Sequence, residues 1–215
     1  MVKSASRLLS RRRLLASLVL VSQGAAAPKP PVVTVLGDSI TAGLGLPVRE
    51  AMPAQLQAAL ARLGVVATVR AAGVSGDTSG GGLARVGFSV AADTAVCVVA
   101  LGGNDLLQGV EPAQTKANLR GILQKLKARG VGTVLVGVAA PASIGAAYAR
   151  EFNALYPDLA KTFGTPLLAN ILEGVRGNPA LMQRDGVHPN AAGARKVAEG
   201  LAPLVARALR ARKRA

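Results

Sequence analysis

Residues 32–39 read Val-Val-Thr-Val-Leu-Gly-Asp-Ser, and a helical pattern of apolar residues follows at about 51–63. The first five residues are apolar or β-branched, which is typical of a strand buried on both faces. Gly, Asp and Ser favour turns, so a turn separates this strand from the helix. The order of strand, turn and helix is the opening unit of a parallel α/β sheet.

The same alternation continues along the chain. Further strands are predicted at residues 65–69, 95–101, 133–138 and 166–170, and further helices at 112–129, 147–163 and 190–209. Strands that are apolar on both faces and separated by helices belong to a parallel sheet covered on both sides. We therefore expect one domain over residues 27–209, a three-layer α/β/α sandwich around a five-stranded parallel sheet. Residues 210–215 would form a basic tail.

The first 26 residues have the pattern of a cleavable export signal. A basic stretch ending at Arg13 is followed by an apolar run too short to span a bilayer, and then by small residues. Because Pro28 follows Ala27, we expect cleavage after Ala26. The segment Ser10-Arg-Arg-Arg-Leu-Leu15 resembles a twin-arginine signal, although the general secretory route and an uncleaved anchor or basic arm stay open. The expected location is the bacterial periplasm or the medium.

Charge makes nucleic-acid binding the first rival to an enzyme. The 215 residues carry 26 Lys and Arg against 11 Asp and Glu, a net charge of +15. Ten of the cationic residues lie in residues 1–27 and in the last nine residues, and the chain has no Trp and few other aromatic side chains to stack on bases. We therefore expect no nucleic-acid partner. Weak contact of the basic tail with anionic lipid is a hypothesis.

Cysteine and histidine usage limits the chemistry further. The single Cys97 lies in an apolar run and cannot form an intramolecular disulfide. The single histidine leaves no Cys and His set at metal-ligand spacing. We expect no metal and no cofactor, and a monomer.

Two polar clusters follow the first two predicted strands, at the sheet edge where parallel α/β folds place their sites. Gly37-Asp-Ser39 could present a serine hydroxyl and its own backbone N–H to a cleft. The loop Gly73-Val-Ser-Gly76-Asp-Thr-Ser-Gly80 could bring a backbone N–H close to a reacting oxygen. Either cluster alone is equally compatible with an ordinary turn.

Two more clusters complete the set. Leu101-Gly-Gly-Asn104-Asp follows the third strand, and its Asn side chain could donate to a developing oxyanion. Asp185-Gly-Val-His188 precedes the last helix and contains the only imidazole, with a carboxylate one turn away to orient it. Imidazole titrates near pH ~6.5, which suits a proton shuttle, although a lone histidine is more often structural. The Asn cluster also has the composition of a simple turn.

Together these blocks resemble the SGNH, or GDSL, hydrolases. The resemblance rests on Gly37-Asp-Ser39, the loop glycine, Gly103-Asn104 and Asp185-x-x-His188, in this order. Val74-Ser-Gly-Asp-Thr-Ser79 and Gly82-Leu-Ala-Arg85 are similar to the exported bacterial branch with thioesterase, lysophospholipase and arylesterase activity. The resemblance implies a flavodoxin-like hydrolase fold and a serine esterase or thioesterase.

Carried over by position, the resemblance implies a catalytic triad and an oxyanion hole. Ser39 would be the nucleophile, His188 the general base and then acid, and Asp185 the orienting carboxylate. The Ser39 N–H, the Gly76 N–H and the Asn104 amide would bind the oxyanion. Because Gly37-Asp-Ser-Ile-Thr41 ends in Thr, the Gly-x-Ser-x-Gly motif of α/β-hydrolases is absent.

Substrate preference is the least determined property. Leu106 and Leu107 follow the Asn104 block and could line an acyl chain, and Ala140 and Pro141 are candidates for its wall. A small acyl ester, a lysophospholipid or a thioester is favoured. A carbohydrate O-acetylesterase of the same family and a non-catalytic basic binding protein are the alternatives.

Overall fold

The computed structural model describes residues 29–212. Its strands are β1 (Val32–Gly37), β2 (Thr68–Gly73), β3 (Thr94–Ala100), β4 (Gly132–Val136) and β5 (Leu167–Leu168). They form one sheet in the order β2-β1-β3-β4-β5, and every pair is parallel. β1 is buried along its whole length because β2 and β3 flank it and helices cover both faces.

Helices cover the two faces of the sheet. They are α1 (Ser39–Ala42), α2 (Met52–Arg62), α3 (Ser79–Ser89), α4 (Gly103–Leu107), α5 (Pro112–Ala128), α6 (Ala146–Phe163) and α7 (Ala191–Arg212). Val33 and Val35 of β1 pack with α2 and α7, whereas Leu36 packs in the second core with α3, α5 and α6. The alternation of strand side chains thus supplies two cores, and the predicted three-layer α/β fold is confirmed.

β2 lies later in the chain than predicted. The expected strand at residues 65–69 is replaced by Thr68–Gly73, paired with β1 from Val32↔Thr68 to Gly37↔Gly73. Val65 closes the end of α2, its N–H donating to the Leu60 carbonyl. β2 is an edge strand with mostly exposed or half-buried residues, so its sequence lacks the apolar run that marks the inner strands.

α3 is a helix that the sequence pattern did not predict. Its first turn contains three consecutive glycines, residues 80–82, and glycine has low helix propensity. The helix is stabilised from outside by its N-cap, since the Thr78 hydroxyl accepts from the Gly81 N–H at 3.3 Å. Gly82 packs directly on Leu101, where an added Cβ would collide with the leucine side chain. Close packing therefore outweighs propensity here.

The bounds of other strands and helices differ from the predicted bounds by smaller amounts. β5 is only two residues long instead of the predicted 166–170, and α7 continues to Arg212, three residues past its predicted end. Within residues 29–212, no helix is long and apolar enough to cross a membrane. The predicted export signal at residues 1–26 and the last three residues of the basic tail lie outside the described residues.

Candidate active site

Ser39 lies at the carboxyl end of β1, as the first residue of α1. The preceding Asp38 caps this short helix, its Oδ1 accepting from the Ile40 N–H at 3.1 Å. The turn directs the Ser39 side chain toward residues that come from the far end of the chain. Its hydroxyl lies 2.8 Å from Nε2 of His188.

Asp185 and His188 complete a chain of hydrogen bonds to Ser39. His188 Nδ1 lies 2.7 Å from Asp185 Oδ2. The other carboxylate oxygen, Oδ1, accepts from the backbone N–H groups of Val187 at 2.9 Å and His188 at 3.0 Å. These bonds fix the carboxylate on the loop, so that the imidazole is oriented with its second nitrogen toward the serine.

The same hydrogen bonds set the charge of Asp185. The donor N–H of His188, its side chain and the N–H of Val187 lower the pKa of the Asp185 carboxyl to about 2. The side chain is nearly half exposed, so burial opposes this only weakly. Asp185 is therefore anionic at neutral pH and can accept the Nδ1 proton of His188.

Three residues with available N–H donors line the cavity that contains the serine. Within residues 29–212, neither the Ser39 N–H nor the Gly76 N–H donates to another protein atom. Gly76 has φ +82°, a backbone conformation that favours glycine. Asn104 Nδ2 donates to the Asp77 carbonyl at 2.8 Å, and the amide has a second N–H for another acceptor. Ser39, Gly76 and Asn104 all line one cavity, so the three residues predicted to bind an oxyanion open on the same space.

Arg85 connects the strands and the loop that carry these donors. Its guanidinium donates to the carbonyls of Gly37 and Ala72, both at 2.8 Å, at the ends of β1 and β2. It also pairs with Asp77 Oδ2 at 2.7 Å. Sequence reasoning noticed Arg85 only as part of a motif, because no residue pattern reveals that an arginine points inward.

Asp105 anchors the loop of Asn104. Its side chain is 1% exposed and accepts from the Ser79 N–H at 2.7 Å, from the Ser79 hydroxyl, and from the Thr115 hydroxyl at 3.2 Å. These bonds join α4 to α3 and α5. A buried carboxylate satisfied in this way fixes the position of the neighbouring asparagine.

Asp38 is the second carboxylate beside the serine. Its side chain lies against Gly103, where an added Cβ would come within 3.2 Å of Oδ2. Burial raises the pKa of Asp38 to about 6, while the Ile40 N–H and the His188 charge oppose the shift. The carboxyl is therefore easier to protonate than an exposed aspartate.

A cavity of about 500 Å³ opens over the serine. Most of its walls are apolar, and they come from the ends of β1, β3 and β4 and from the loops that follow. The apolar side chains that line it are Ile40, Leu44, Ala100, Leu106, Leu107, Val136, Val138, Ile171, Leu172 and Val187. Such a cavity suits a ligand with an apolar part and a reactive polar centre.

The structure brings some of the predicted wall residues to this cavity and not others. Leu106 and Leu107 line it. Ala140 and Pro141 do not: Ala140 is buried in the second core, held by its backbone bonds to Asn153 at 2.8 and 3.0 Å, and Pro141 is exposed. Ala140 and Pro141, predicted as wall residues, therefore do not line the cavity over Ser39, since the chain turns away after Val138 toward α6.

Comparisons with known proteins identify the family of this chain. The family described as GDSL-like Lipase/Acylhydrolase matches residues 35–196, which is most of the chain. The chain belongs to this family. The predicted resemblance and the predicted hydrolase class are both confirmed.

Relatives with assigned names are similar over most of their length. "Esterase TesA" of Pseudomonas aeruginosa is 41% identical over 188 residues, covering 87% of this chain and 92% of the relative. "Thioesterase 1/protease 1/lysophospholipase L1" of Escherichia coli is 41% identical over 174 residues, covering 80% and 81%. The crystal structure of AlinE4, described as an SGNH-hydrolase family esterase, superposes with a TM-score of 0.72 at 41% identity, covering 86% and 99%.

The site has no arrangement suited to a metal in the part of the chain that is described. Among residues 29–212, no group of three or more His, Cys, Asp and Glu side chains could hold a metal ion. What the site offers is a serine hydroxyl, an imidazole oriented toward it, and N–H donors on residues that line the same cavity. This combination is suited to acyl transfer.

Proposed function

We propose that this chain is an exported serine hydrolase that cleaves carboxylic ester or thioester bonds of acyl substrates through an acyl-enzyme on Ser39. The proposal rests on the hydrogen-bonded series Ser39, His188 and Asp185, with distances of 2.8 and 2.7 Å, which opens on an apolar cavity. The names of the relatives, an esterase and a thioesterase with lysophospholipase activity, support it.

In the first half-reaction, the Ser39 oxygen attacks the carbonyl carbon while its proton passes to Nε2 of His188. Negative charge develops on the carbonyl oxygen, where the Ser39 N–H, the Gly76 N–H and the second N–H of Asn104 can donate to it. Asp185 stabilises the imidazolium that forms. When the tetrahedral intermediate collapses, the C–O or C–S bond breaks and His188 gives its proton to the leaving alcohol or thiol.

In the second half-reaction, a water molecule takes the place of the leaving group. His188 accepts a proton from this water as its oxygen attacks the acyl-serine carbonyl. The same three donors hold the oxyanion, and collapse returns the proton to the Ser39 oxygen. The products are a carboxylic acid and the regenerated serine.

The cavity favours an acyl chain over an acetyl group. Its volume of about 500 Å³ and its leucine, isoleucine and valine walls offer far more apolar contact than an acetyl group can use. A lipid-like acyl ester or thioester is therefore the substrate class that we favour. The carbohydrate O-acetylesterase alternative would leave most of this surface unused.

A p-nitrophenyl ester series from acetate to palmitate tests the proposal, with the mature protein and its Ser39→Ala variant. We expect an optimum at a chain longer than acetate and loss of turnover in the variant. An optimum at acetate would favour the O-acetylesterase. No turnover by a folded wild-type protein would favour the non-catalytic binding protein.

Export is part of the proposal and has its own test. The basic, apolar and small-residue regions of residues 1–26 support secretion to the periplasm or the medium. N-terminal sequencing of the protein from the periplasmic fraction should begin at Ala27. A cytoplasmic protein that retains Met1 or Val2 would contradict export.

We also propose that the enzyme is a monomer whose basic tail contacts anionic lipid weakly. Arg210 and Arg212 end α7 beyond the last core residue, Leu209. Removing residues 210–215 should weaken binding to anionic vesicles and leave the turnover of small esters unchanged. Unchanged vesicle binding would contradict the lipid contact.

The oligomeric state has a separate test. A dimer in sedimentation experiments would contradict the proposed monomer.

A further inference from the structure

The cavity over Ser39 has one feature that acyl chemistry does not use. Arg176 is its only Lys or Arg side chain among residues 29–212. The triad, the oxyanion donors and the apolar walls account for the reacting carbonyl and an acyl chain. A permanent positive charge beside them serves neither of these parts.

Arg176 is placed on the cavity wall by its own turn. Its backbone N–H donates to the Leu172 carbonyl at 3.0 Å, and both residues line the cavity. Leu172 is buried and lines the cavity, and Val175 between them is fully buried in the first core. The backbone of the arginine is therefore held between buried residues, while the residue itself is exposed.

The guanidinium of Arg176 has no hydrogen-bond or ion-pair partner among residues 29–212. Within the described residues, no carboxylate lies within ion-pair distance of Arg176. The two carboxylates of the site are engaged elsewhere, Asp38 with the Ile40 N–H and Asp185 with His188. Arg176 is thus free to bind an anion that enters with the substrate.

The chemistry of the substrate indicates which part supplies the anion. A fatty acyl chain has no charge, so an anionic group must belong to the leaving half. Guanidinium binds phosphate oxygens in pairs, with shorter and stronger hydrogen bonds than neutral donors make. A cavity of about 500 Å³ would be roughly 10 Å across if it were a sphere, which limits how far that group lies from the ester.

We propose that Arg176 binds the phosphate of a monoacyl glycerophospholipid and so determines a preference for lysophospholipids over uncharged esters. In such a lipid only the glycerol separates the phosphate from the scissile ester, which fits within the cavity. In acyl-CoA, the whole pantetheine arm separates the thioester from the nearest phosphate. The proposal rests on the proposed function, since it names the substrate of the same Ser39 site.

The test compares two substrates with the same short acyl chain, lysophosphatidylglycerol and monoacylglycerol, kept below the concentrations at which they form micelles. The ratio of their kcat/KM values measures the preference for phosphate. In Arg176→Gln this ratio should fall about tenfold, mostly through a higher KM for the phospholipid, as expected for loss of a charge-assisted hydrogen bond. Added salt should lower the wild-type ratio and leave that of the variant nearly constant.

Arg195→Gln is the matched control. Arg195 is exposed on α7, does not line the cavity and has no ion pair within the described residues, so its replacement removes the same charge. We expect this variant to keep the wild-type ratio. An equal fall in both control and Arg176 variant would assign the effect to net charge and overturn the proposal.

Other outcomes are equally decisive. An equal fall in kcat/KM for both lipids in Arg176→Gln would mean that the aliphatic part of the arginine packs along the acyl chain. That result would overturn the proposed phosphate site. A tenfold loss with acyl-CoA as well would overturn the assignment to the lipid phosphate. Failure of the wild-type protein to hydrolyse either lipid, or hydrolysis by Ser39→Ala, would instead contradict the proposed function.

Discussion

Arg85 Nε lies 2.7 Å from Asp77 Oδ2, and the two side chains are only 11% and 10% exposed. The arginine also binds the Gly37 carbonyl, two residues before Ser39, and the Asp77 carbonyl accepts from Asn104. Asp77 follows Gly76 directly. One buried ion pair therefore contacts the segments that carry Ser39 and Gly76 and, through the Asp77 carbonyl, the side chain of Asn104. We infer that Arg85 is a positioning residue for the three proposed oxyanion donors.

Replacing Arg85 by Met should destabilise the protein by about 3–5 kcal/mol, because it leaves the Asp77 carboxylate buried and unpaired. Urea unfolding measures this loss. Arg85→Lys keeps the charge and lacks the planar fork that reaches two strand carbonyls, so it should fold and show a reduced kcat with little change in KM. Wild-type kcat in a folded Arg85→Lys variant would contradict the positioning role.

Asn104→Ala should lower kcat about 100-fold and change KM little, since an oxyanion donor acts mainly in the transition state. Steady-state kinetics with a soluble p-nitrophenyl ester measures both constants. Gln124→Ala is a suitable control, because Gln124 is exposed on α5 and its side chain makes no hydrogen bond within residues 29–212. An equal effect of the two substitutions would contradict an oxyanion role for Asn104.

Asp185→Asn should lower kcat by about 10³- to 10⁴-fold, because an amide cannot stabilise the imidazolium and favours the wrong His188 tautomer. The pKa of Asp185 is lowered to about 2, so its contribution to stability is present above the ordinary value of 3.8 and is lost as the pH falls toward 2. The kcat measured at neutral pH thus reports on the anionic carboxylate. Near-wild-type turnover in the asparagine variant would contradict the triad.

Asp38→Asn should change how stability depends on pH. Because burial raises the pKa of Asp38 from 3.8 to about 6, the folded state binds a proton that the unfolded state has released between these values. The wild-type protein should therefore lose stability relative to Asp38→Asn as the pH rises from 4 to 6, by at most about 3 kcal/mol. Thermal unfolding across this range measures the difference.

Asp93 provides a control of opposite sign for this experiment. It is exposed and paired with Arg70 at 2.6 Å, and that hydrogen bond lowers its pKa. Relative to Asp93→Asn, the wild-type protein should gain stability as the pH rises through the acid range. The same sign for both aspartates would show that burial does not control Asp38.

Much of the fold can be predicted from local patterns in the sequence. β1 and β3 are buried on both faces, so their β-branched runs mark them clearly. β2 is an edge strand without such a run, and α3 forms despite its glycines because Thr78 caps it and Leu101 packs against it. Packing decides these two elements, and packing is not visible in a sequence pattern.

The same distinction applies to the site. Ser39 and His188 could be placed together because parallel strands end at one edge of the sheet. Arg85, by contrast, acts through backbone carbonyls whose position depends on how two strands end. Ala140 was misplaced for a related reason, since its burial depends on bonds to Asn153 of α6.

The most direct test of the central claim is to trap the acyl-enzyme. Wild-type protein is mixed with a p-nitrophenyl ester, quenched in acid within the first turnover, and its intact and peptide masses are measured. The mass of one acyl group should appear on the peptide that contains Ser39 and be absent from Ser39→Ala. An adduct on another residue, or turnover by Ser39→Ala at the wild-type rate, would contradict the serine mechanism.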